Sequence, residues 1–384
     1  MIKPKLLAAS ALCCATMLTF PVMAQEAEFV PETFSVKEAI EPGPNIFVGK
    51  QEWGGASSIE VYSADDLTNK GNMTAGAIIQ LLVAPDGKTA YAQSTFMKRY
   101  TYGPIEQVLN VYDVNTLSIT KEILLPGKAA MVAAYEPLLA QSADGKFVYV
   151  QNATPATSVT VVDVAAGSVV QEVATPGCWG IYPSLEGHSF SSICGDGTFA
   201  SFDVGADGAT AEKTISAKIF DADTDPIFVA SDRIGTDLAF ISYHGNVYLL
   251  SDATGTITQT DKFSITEGQA EGWAPGGYNL LTYNDANGVL FVTMHAEAYD
   301  GSHKNASEEI WAYDIKARKA LYQSAAHGLI SIKVTDGEVP VLFGLNEEES
   351  TVVRYAVDPE ARFALKETGS GDGTGFATVV VAGP

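Results

Sequence analysis

Apolar and polar residues alternate with a period of two along most of the chain, and one phrase built on that alternation recurs. Each copy has a turn, an apolar strand, a short gap and a second strand that ends in an Asp-containing turn. Two copies are plain: residues 81–93 lead to 108–125, and residues 139–151 lead to 158–173. β-Branched and aromatic residues dominate these segments and helical periodicity is weak, so the phrase predicts paired β-strands.

Weaker copies continue the pattern, and the copy at residues 59–67 has only the second half of the phrase. The second-strand turns centre near residues 65, 115, 165, 205, 253, 316 and 358. A small sheet cannot bury both of its faces alone, whereas radial repetition of seven such units buries them all. The sequence therefore predicts an all-β fold, a seven-bladed β-propeller. A β-sandwich array or a β-helix is the alternative, but the period is too long for a β-helix and no Pro/Gly-rich linker separates domains.

The stretch EGWAPGGY, residues 271–278, departs from the alternation. The residues after it alternate on both sides of an Asn/Asp/Gly turn, as in a hairpin. Pro275 restricts the preceding residue to an extended backbone, and Gly276 and Gly277 permit conformations that other residues avoid. We expect this stretch to carry the chain into the next blade, with Trp273 packed against a neighbouring blade.

The beginning of the chain has the pattern of a secretory signal peptide. Lys3 and Lys5 precede an apolar run that ends in small residues at Ala24. A retained membrane anchor is the alternative, but the run is shorter than the roughly 20 residues that span a bilayer. The predicted domains are a cleaved signal peptide (1–24), an acidic N-terminal arm (25–40) and the propeller (41–384).

Two cysteines remain after the signal peptide, Cys178 and Cys194. A pair of cysteines in an exported chain favours one disulfide. A metal or redox pair is the competing interpretation, but the spacing differs from CxxC and no histidine cluster accompanies it.

The charge of the chain excludes some partners. The formal net charge is −23, and removal of Lys3 and Lys5 with the signal peptide makes it two units more negative. Such a chain repels phosphates, so nucleic acid and anionic membranes are poor partners. The charge could steer cationic molecules, although solubility alone also accounts for it.

No catalytic set is visible in the sequence. His188, His244, His295, His303 and His327 are scattered, without the HxxxH or HExxH spacing that gathers a metal. There is no GxSxG elbow, no P-loop and no GxGxxG after a strand. Carboxylates are too numerous for one acid/base pair to be singled out. From its residues alone, the chain is interpreted as a scaffold or binding propeller.

Several long tracts are more specific than a propeller repeat requires. They are QNATPATSVTVVDVAAG (151–167), GCWGIYP (177–183) with SSICGDG (191–197), DPIFVA (225–230) with ISYHGNVY (241–248), WAPGGYNL (273–280) and MHAEAYDGSHKNASEEIWAYD (294–314). Together they resemble the heavy subunit of the tryptophan tryptophylquinone amine dehydrogenases, aromatic amine dehydrogenase more than methylamine dehydrogenase. The resemblance covers most of the chain from roughly residue 46 onward.

The resemblance implies that the catalytic groups belong to another subunit. In this family the tryptophan tryptophylquinone and the catalytic base belong to a separate light subunit, so no cofactor is expected on this chain. The implied assembly is a periplasmic heterotetramer of two heavy and two light chains. It would deaminate a primary amine oxidatively to an aldehyde and ammonia, and pass electrons to an azurin-like or amicyanin-like copper protein.

Residue roles carry over at few positions. In methylamine dehydrogenase an aromatic heavy-subunit residue near the first blade gates the quinone, and that position falls at Gly54, between Trp53 and Gly55. Glycine would leave a wider entrance, which suits an arylalkylamine, although Trp53 could instead pack on the first blade. The cysteines lie within matching tracts and would form a heavy-chain disulfide. The candidates for blade packing or for contact with the light subunit are Trp273, Pro275, Gly276, Gly277 and Tyr278.

The sequence leaves two other functions open. An exported propeller could bind a protein or small molecule without any quinone partner, since a scaffold can persist when its partner changes. An independent propeller enzyme with its own quinone or metal is the other, and the scattered histidines argue against it.

Overall fold

Short antiparallel strands joined by tight turns account for nearly all of the structure, a computed structural model that describes residues 36–100, 102–208 and 210–383. The predicted signal peptide (1–24) and residues 25–35 of the predicted arm lie outside the described residues. At the end of the predicted arm, the Ile40 N–H donates to the Asn115 carbonyl oxygen at 2.8 Å. The compact unit begins at Glu38.

Strands β1 to β19 lie between residues 45 and 264 and belong to five of the seven sheets. The first three are β1 (Asn45–Gln51), β2 (Ser58–Ser63) and β3 (Asn69–Thr74). The next eight are β4 (Ala77–Val83), β5 (Thr89–Met97), β6 (Ile105–Asp113), β7 (Ser118–Leu125), β8 (Leu139–Gln141), β9 (Phe147–Asn152), β10 (Ser158–Asp163) and β11 (Ser168–Ala174). They are followed by β12 (Cys178–Pro183), β13 (Phe190–Cys194), β14 (Phe199–Val204), β15 (Thr210–Ile215), β16 (Ile227–Ile234), β17 (Asp237–Ser242), β18 (Asn246–Ser251) and β19 (Thr258–Ser264).

The rest of the chain continues in the same way. Its strands are β20 (Ala274–Pro275), β21 (Leu281–Asn284), β22 (Val289–His295), β23 (Glu309–Asp314), β24 (Lys319–Ala325), β25 (Leu329–Val334), β26 (Val341–Asn346), β27 (Thr351–Asp358), β28 (Ala364–Asp372) and β29 (Phe376–Ala382). Single 3-10 turns are found at Glu136–Leu138 and Ser302–Lys304.

These strands form seven antiparallel sheets, the blades of a β-propeller. Blade 1 has the order β29-β1-β2-β3, and blades 2 to 5 are β4 to β7, β8 to β11, β12 to β15 and β16 to β19. Blade 6 is β20-β22-β23-β24 with β21 also paired to β22, and blade 7 is β25 to β28. The predicted seven-bladed propeller is confirmed. Six of the seven predicted second-strand turn positions fall between the last two strands of a blade, and the seventh, residue 358, is the last residue of β27 before the same turn of blade 7.

The C-terminal strand closes the ring. β29 pairs antiparallel with β1, with Phe47 opposite Val381 and Val48 opposite Val380. This explains why the first sequence unit is incomplete, since its innermost strand comes from the other end of the chain. Both ends of the propeller domain are thereby held in one sheet.

The apolar core is divided among the boundaries between blades. Within the described residues, seven buried clusters occur, and each joins one blade to its neighbour around the ring. Buried tyrosines add polar links across these boundaries: Tyr62 Oη donates to the Asp372 carbonyl at 2.9 Å, and Tyr112 Oη donates to the Thr74 carbonyl at 2.8 Å. Burial raises the pKa of Tyr62 to about 12, so its hydroxyl stays a donor at neutral pH.

The predicted disulfide is present. Cys178 and Cys194 are opposite each other on β12 and β13, with their sulfur atoms 2.02 Å apart. Both are buried in the cluster between blades 3 and 4. The neighbouring Asp196 accepts the backbone N–H of Thr198 at 3.0 Å, which is a turn role.

Candidate docking face and channel site

The propeller has two different faces. Because strands alternate in direction within a blade, the loop between its second and third strands emerges at the same end as the connection to the next blade. We call this end the plugged face; it includes residues 52–57, 98–100, 102–104, 126–138 and 296–308. The opposite end, the open face, carries the turns between first and second strands, such as 84–88 and 285–288.

The connection from blade 2 to blade 3 closes the channel at the plugged face. Buried Gln51 and Gln80 each donate from Nε2 to the Val132 carbonyl at 3.2 Å. Their Oε1 atoms accept the backbone N–H groups of Ala134 at 3.0 Å and Tyr135 at 3.1 Å. Each amide thus satisfies one donor and one acceptor of the crossing segment. We call residues 129–138 the plug.

The entrance candidates lie in the loop between β1 and β2, on the plugged face. Trp53 is 51% exposed, and its ring centroid is 6.0 Å from that of Phe376. A Cβ atom added at Gly54 would meet no heavy atom within 4 Å, and one at Gly55 would meet only Glu52 Cβ at 3.9 Å. The loop therefore has room for larger side chains, and Trp53 packs on blade 1 while about half of its surface stays exposed.

Trp273 and Tyr278 lie in different parts of the structure. Trp273 packs at the boundary between blades 5 and 6, with its ring centroid 5.6 Å from that of Trp311. Tyr278 is half-buried beside the plug, 5.4 Å from the ring of Tyr135. Lys304 Nζ lies 6.0 Å from the Tyr278 ring centroid.

Pro275, Gly276 and Gly277 lie within blade 6, where they interrupt its innermost strand at the end of β20 and before β21, and Gly277 packs against blade 7. Pro275 is buried opposite Met294, and the Gly277 N–H donates to the His303 carbonyl at 3.0 Å. A Cβ atom at Gly277 would lie 2.5 Å from the Ile330 carbonyl oxygen, and the residue has a φ of +122°. Glycine is required here by both space and backbone conformation.

Gly277→Ala is expected to lower the free energy of unfolding by about 3 kcal/mol, because the methyl group combines a strained φ with a backbone clash. Denaturant unfolding followed by circular dichroism measures the effect. Gly54→Ala is the matched control and is expected to change stability by no more than about 0.5 kcal/mol. Equal effects of the two substitutions would contradict the assigned role of Gly277.

Further aromatic residues are exposed on the plugged face. Tyr100 is 80% exposed and Tyr102 is 61% exposed in the loop between β5 and β6, and Tyr299 is 64% exposed in the loop between β22 and β23. Arg99 Cζ lies 4.7 Å from the ring centroid of Tyr102. Sequence reasoning did not select these tyrosines; the available signal was the length of the KRYTYGP insertion between two regular strands.

A cavity in the channel opens at the open face. Its mouth has a volume of about 780 Å³. A deeper region of about 390 Å³ ends at Glu136 and Pro137 of the plug. Asp232, Arg233 and Lys333 line both regions, so the two regions adjoin each other. The apolar walls of the deeper region come from inner strands, among them Leu81, Val83, Leu139, Ile181 and Val381.

Charged residues occupy the floor of this cavity. Lys333 Nζ lies 3.4 Å from Asp232 Oδ2. The charge of Asp232, with smaller contributions from Glu136 and Asp336, raises the pKa of Lys333 above its usual range although burial opposes the shift. Burial raises the pKa of Glu136, while Lys333 partly offsets that effect. The sequence could not identify this group because its members come from blades 5 and 7 and from the plug.

Comparison with known proteins identifies the scaffold. The profile of the methylamine dehydrogenase heavy chain (MADH) family matches residues 56–382, which include strands from all seven blades. The chain belongs to this heavy chain family. The methylamine dehydrogenase heavy chain of Methylophilus methylotrophus is 25% identical over 320 residues, which cover 80% of this chain and 77% of that protein. The Paracoccus versutus heavy chain is 26% identical over 293 residues, covering 74% of this chain and 67% of the relative.

Solved structures outside the heavy chain family share the fold. A periplasmic gluconolactonase of Pseudomonas aeruginosa superposes with a TM-score of 0.60 at 16% identity, covering 89% of this chain and 99% of that chain. A protein from Lactobacillus plantarum gives a TM-score of 0.63 at 12% identity, covering 88% of this chain and 99% of that chain. These similarities concern architecture alone.

The contacting tryptophans of this heavy chain do not form an accessible redox site. Trp311 is 1% exposed, and its Nε1 donates to Glu309 Oε2 at 2.7 Å. Its contact with Trp273 belongs to the core between blades 5 and 6. An amine could not reach a quinone built on Trp311, so this pair does not fit the cofactor.

Two other features are absent from the described part of the chain. Within it, no group of three or more His, Cys, Asp or Glu side chains is placed to hold a metal ion. None of its helices has the length and apolar character needed to cross a membrane.

Proposed function

We propose that this chain is the heavy subunit of a periplasmic amine dehydrogenase that acts on primary arylalkyl amines. The family match over residues 56–382 carries the proposal, because it extends through the whole ring. The partner is a light subunit that bears tryptophan tryptophylquinone, in a heterotetramer of two heavy and two light chains. The quinone is the oxidant: the substrate ammonium and one water give an aldehyde and an ammonium ion, with release of two electrons and two protons.

The plugged face is the proposed seat of the light subunit. Large aromatic rings of the kind enriched in protein interfaces are exposed on this face, at Trp53, Tyr100, Tyr102 and Tyr299. The Gln51 and Gln80 bonds hold the plug behind this face, so that it presents a fixed surface. The two electrons would leave one at a time to an azurin-like or amicyanin-like copper protein.

The loop at Gly54 is the proposed wall of the substrate entrance. Open space around this glycine leaves room for an aryl ring beside the exposed indole of Trp53. An ammonium-bearing substrate with an aromatic body could stack on that indole as it enters. This geometry favours an arylalkyl amine over a smaller amine, whose body would not fill the space.

Purification of the native protein from the periplasm of cells grown on 2-phenylethylamine tests the proposal. We expect a small second subunit, quinone absorbance in the visible spectrum, and dye reduction that depends on tyramine or 2-phenylethylamine. A colourless, solitary and inactive chain from such cells would overturn it and favour an exported scaffold without a quinone partner.

A further inference from the structure

We propose that the channel cavity at the open face is a binding site for a small organic cation, an ammonium group on an apolar body. The floor and walls of the deeper region have different chemistry. Glu136, Asp232 and Lys333 provide a charged floor, and inner-strand aliphatic side chains provide the walls. Pockets that bind small molecules have this composition, with a few polar groups set in an apolar lining.

Hydrogen bonding at the floor leaves one carboxylate available. Asp232 is already occupied: its Oδ2 accepts from the Tyr283 N–H at 3.0 Å and from Thr282 Oγ1 at 3.2 Å. Lys333 approaches the same oxygen at 3.4 Å. Glu136 receives no hydrogen bond from the described chain, and its charge is balanced only through space by Lys333. Glu136 is partly exposed to the cavity, so a ligand ammonium that donates to its carboxylate would supply the missing charge-assisted hydrogen bond.

The sign of the electric field in the cavity selects a cation. Glu136, Asp232, Asp285 and Asp336 line the cavity, and the basic residues that line it are Lys333 and Arg233. Arg233 is already committed, because its Nη2 donates to Asp252 Oδ2 at 2.9 Å and to the Pro183 carbonyl at 2.7 Å. The surrounding carboxylates raise the pKa of Lys333 although burial lowers it, as expected where the electrostatic potential is negative. An anionic ligand would meet the excess of carboxylates and be repelled.

This site is separate from the proposed substrate entrance. The cavity is reached from turns of the open face, such as those at Pro85, Asp285 and Thr335, whereas Gly54 lies on the plugged face. Occupation of the cavity needs no quinone and no light subunit, so the site does not depend on the proposed function.

Isothermal titration of the full chain, in its native assembly, with N,N-dimethyl-2-phenylethylammonium tests the site. A tertiary amine cannot form an imine with a quinone, so its binding is independent of amine oxidation. We expect saturable binding at one site per chain, and at least a tenfold weaker affinity in Glu136→Gln. 3-Phenylpropionate, which has a carboxylate on a similar body, is expected not to bind.

Two further variants distinguish binding in the cavity from a general effect of the protein's charge. Glu122→Gln removes the same charge from an exposed position on the outer strand β7 and is expected to bind like the unaltered chain. Val83→Phe adds bulk where the two regions of the cavity meet and is expected to reduce binding without removing any charge. Absence of binding at millimolar probe, equal weakening in Glu136→Gln and Glu122→Gln, or equal binding of 3-phenylpropionate would each overturn the proposal.

Discussion

Removal of residues 376–384 is expected to abolish cooperative folding. β29 supplies the innermost strand of blade 1, and Val379 and Val380 within it are completely buried. Burial of one valine contributes about 1.5 to 3 kcal/mol, and a typical domain has only about 5 to 15 kcal/mol of net stability. Truncation also exposes the paired edge of β1 and the clusters on both sides of blade 1, which include Phe47 and Val48.

The measurement is thermal and urea denaturation of the truncated chain, followed by circular dichroism. We expect no sigmoidal transition, or one shifted down by tens of degrees. The control removes only residues 383 and 384, which come after β29; it loses the bond from the Gly383 N–H to the Asn45 carbonyl and is expected to remain folded. A truncated chain that unfolds like this control would show that the ring does not need its closing strand.

Gly54→Phe is expected to lower kcat/KM for 2-phenylethylamine at least about tenfold while methylamine changes by less than about threefold, a difference of at least about 0.7 kcal/mol in transition-state free energy. The substitution is sterically possible, because nothing lies within 4 Å of a Cβ at this position and its φ is outside the left-handed region. The added ring would occupy the open space beside Trp53 that the proposed function assigns to an arylalkyl substrate.

Steady-state dye reduction by the native assembly measures both amines. Gly54→Ala is the matched control and is expected to leave both values close to those of the unaltered protein. Thermal unfolding of Gly54→Phe should match the unaltered chain, which separates an effect on entry from a loss of fold. Equal losses of activity with the two amines would remove Gly54 from the entrance.

Local pattern predicted much of the fold. The alternation and the Asp-containing turns predicted each of the seven turns that join the last two strands of a blade, because both depend on residues close together in sequence. The disulfide was also predicted, since only two cysteines remain after the predicted signal peptide. The glycine pair at 276 and 277 was expected to need unusual backbone freedom, and a close approach to Ile330 gives the reason at Gly277.

Other features depended on residues that are distant in the chain. The Tyr100 and Tyr102 loop interrupts the repeat, and no periodicity marks it as a surface. Trp273 had two predicted environments, a neighbouring blade or the light subunit, and within this chain its ring lies 5.6 Å from that of Trp311. The preference for aromatic amines stays a prediction from the resemblance, since the Methylophilus and Paracoccus relatives are methylamine dehydrogenase heavy chains.

The sequence by itself determined the strands, their turns, the number of blades and the kind of family, because period-two alternation and long specific tracts are local properties. Only the tertiary structure decided that β29 completes blade 1 and that the plug closes one end of the channel. It also brought Glu136, Asp232 and Lys333 together at one floor. These contacts join residues from different blades or from opposite ends of the chain. No short stretch of sequence contains the geometry that brings them together.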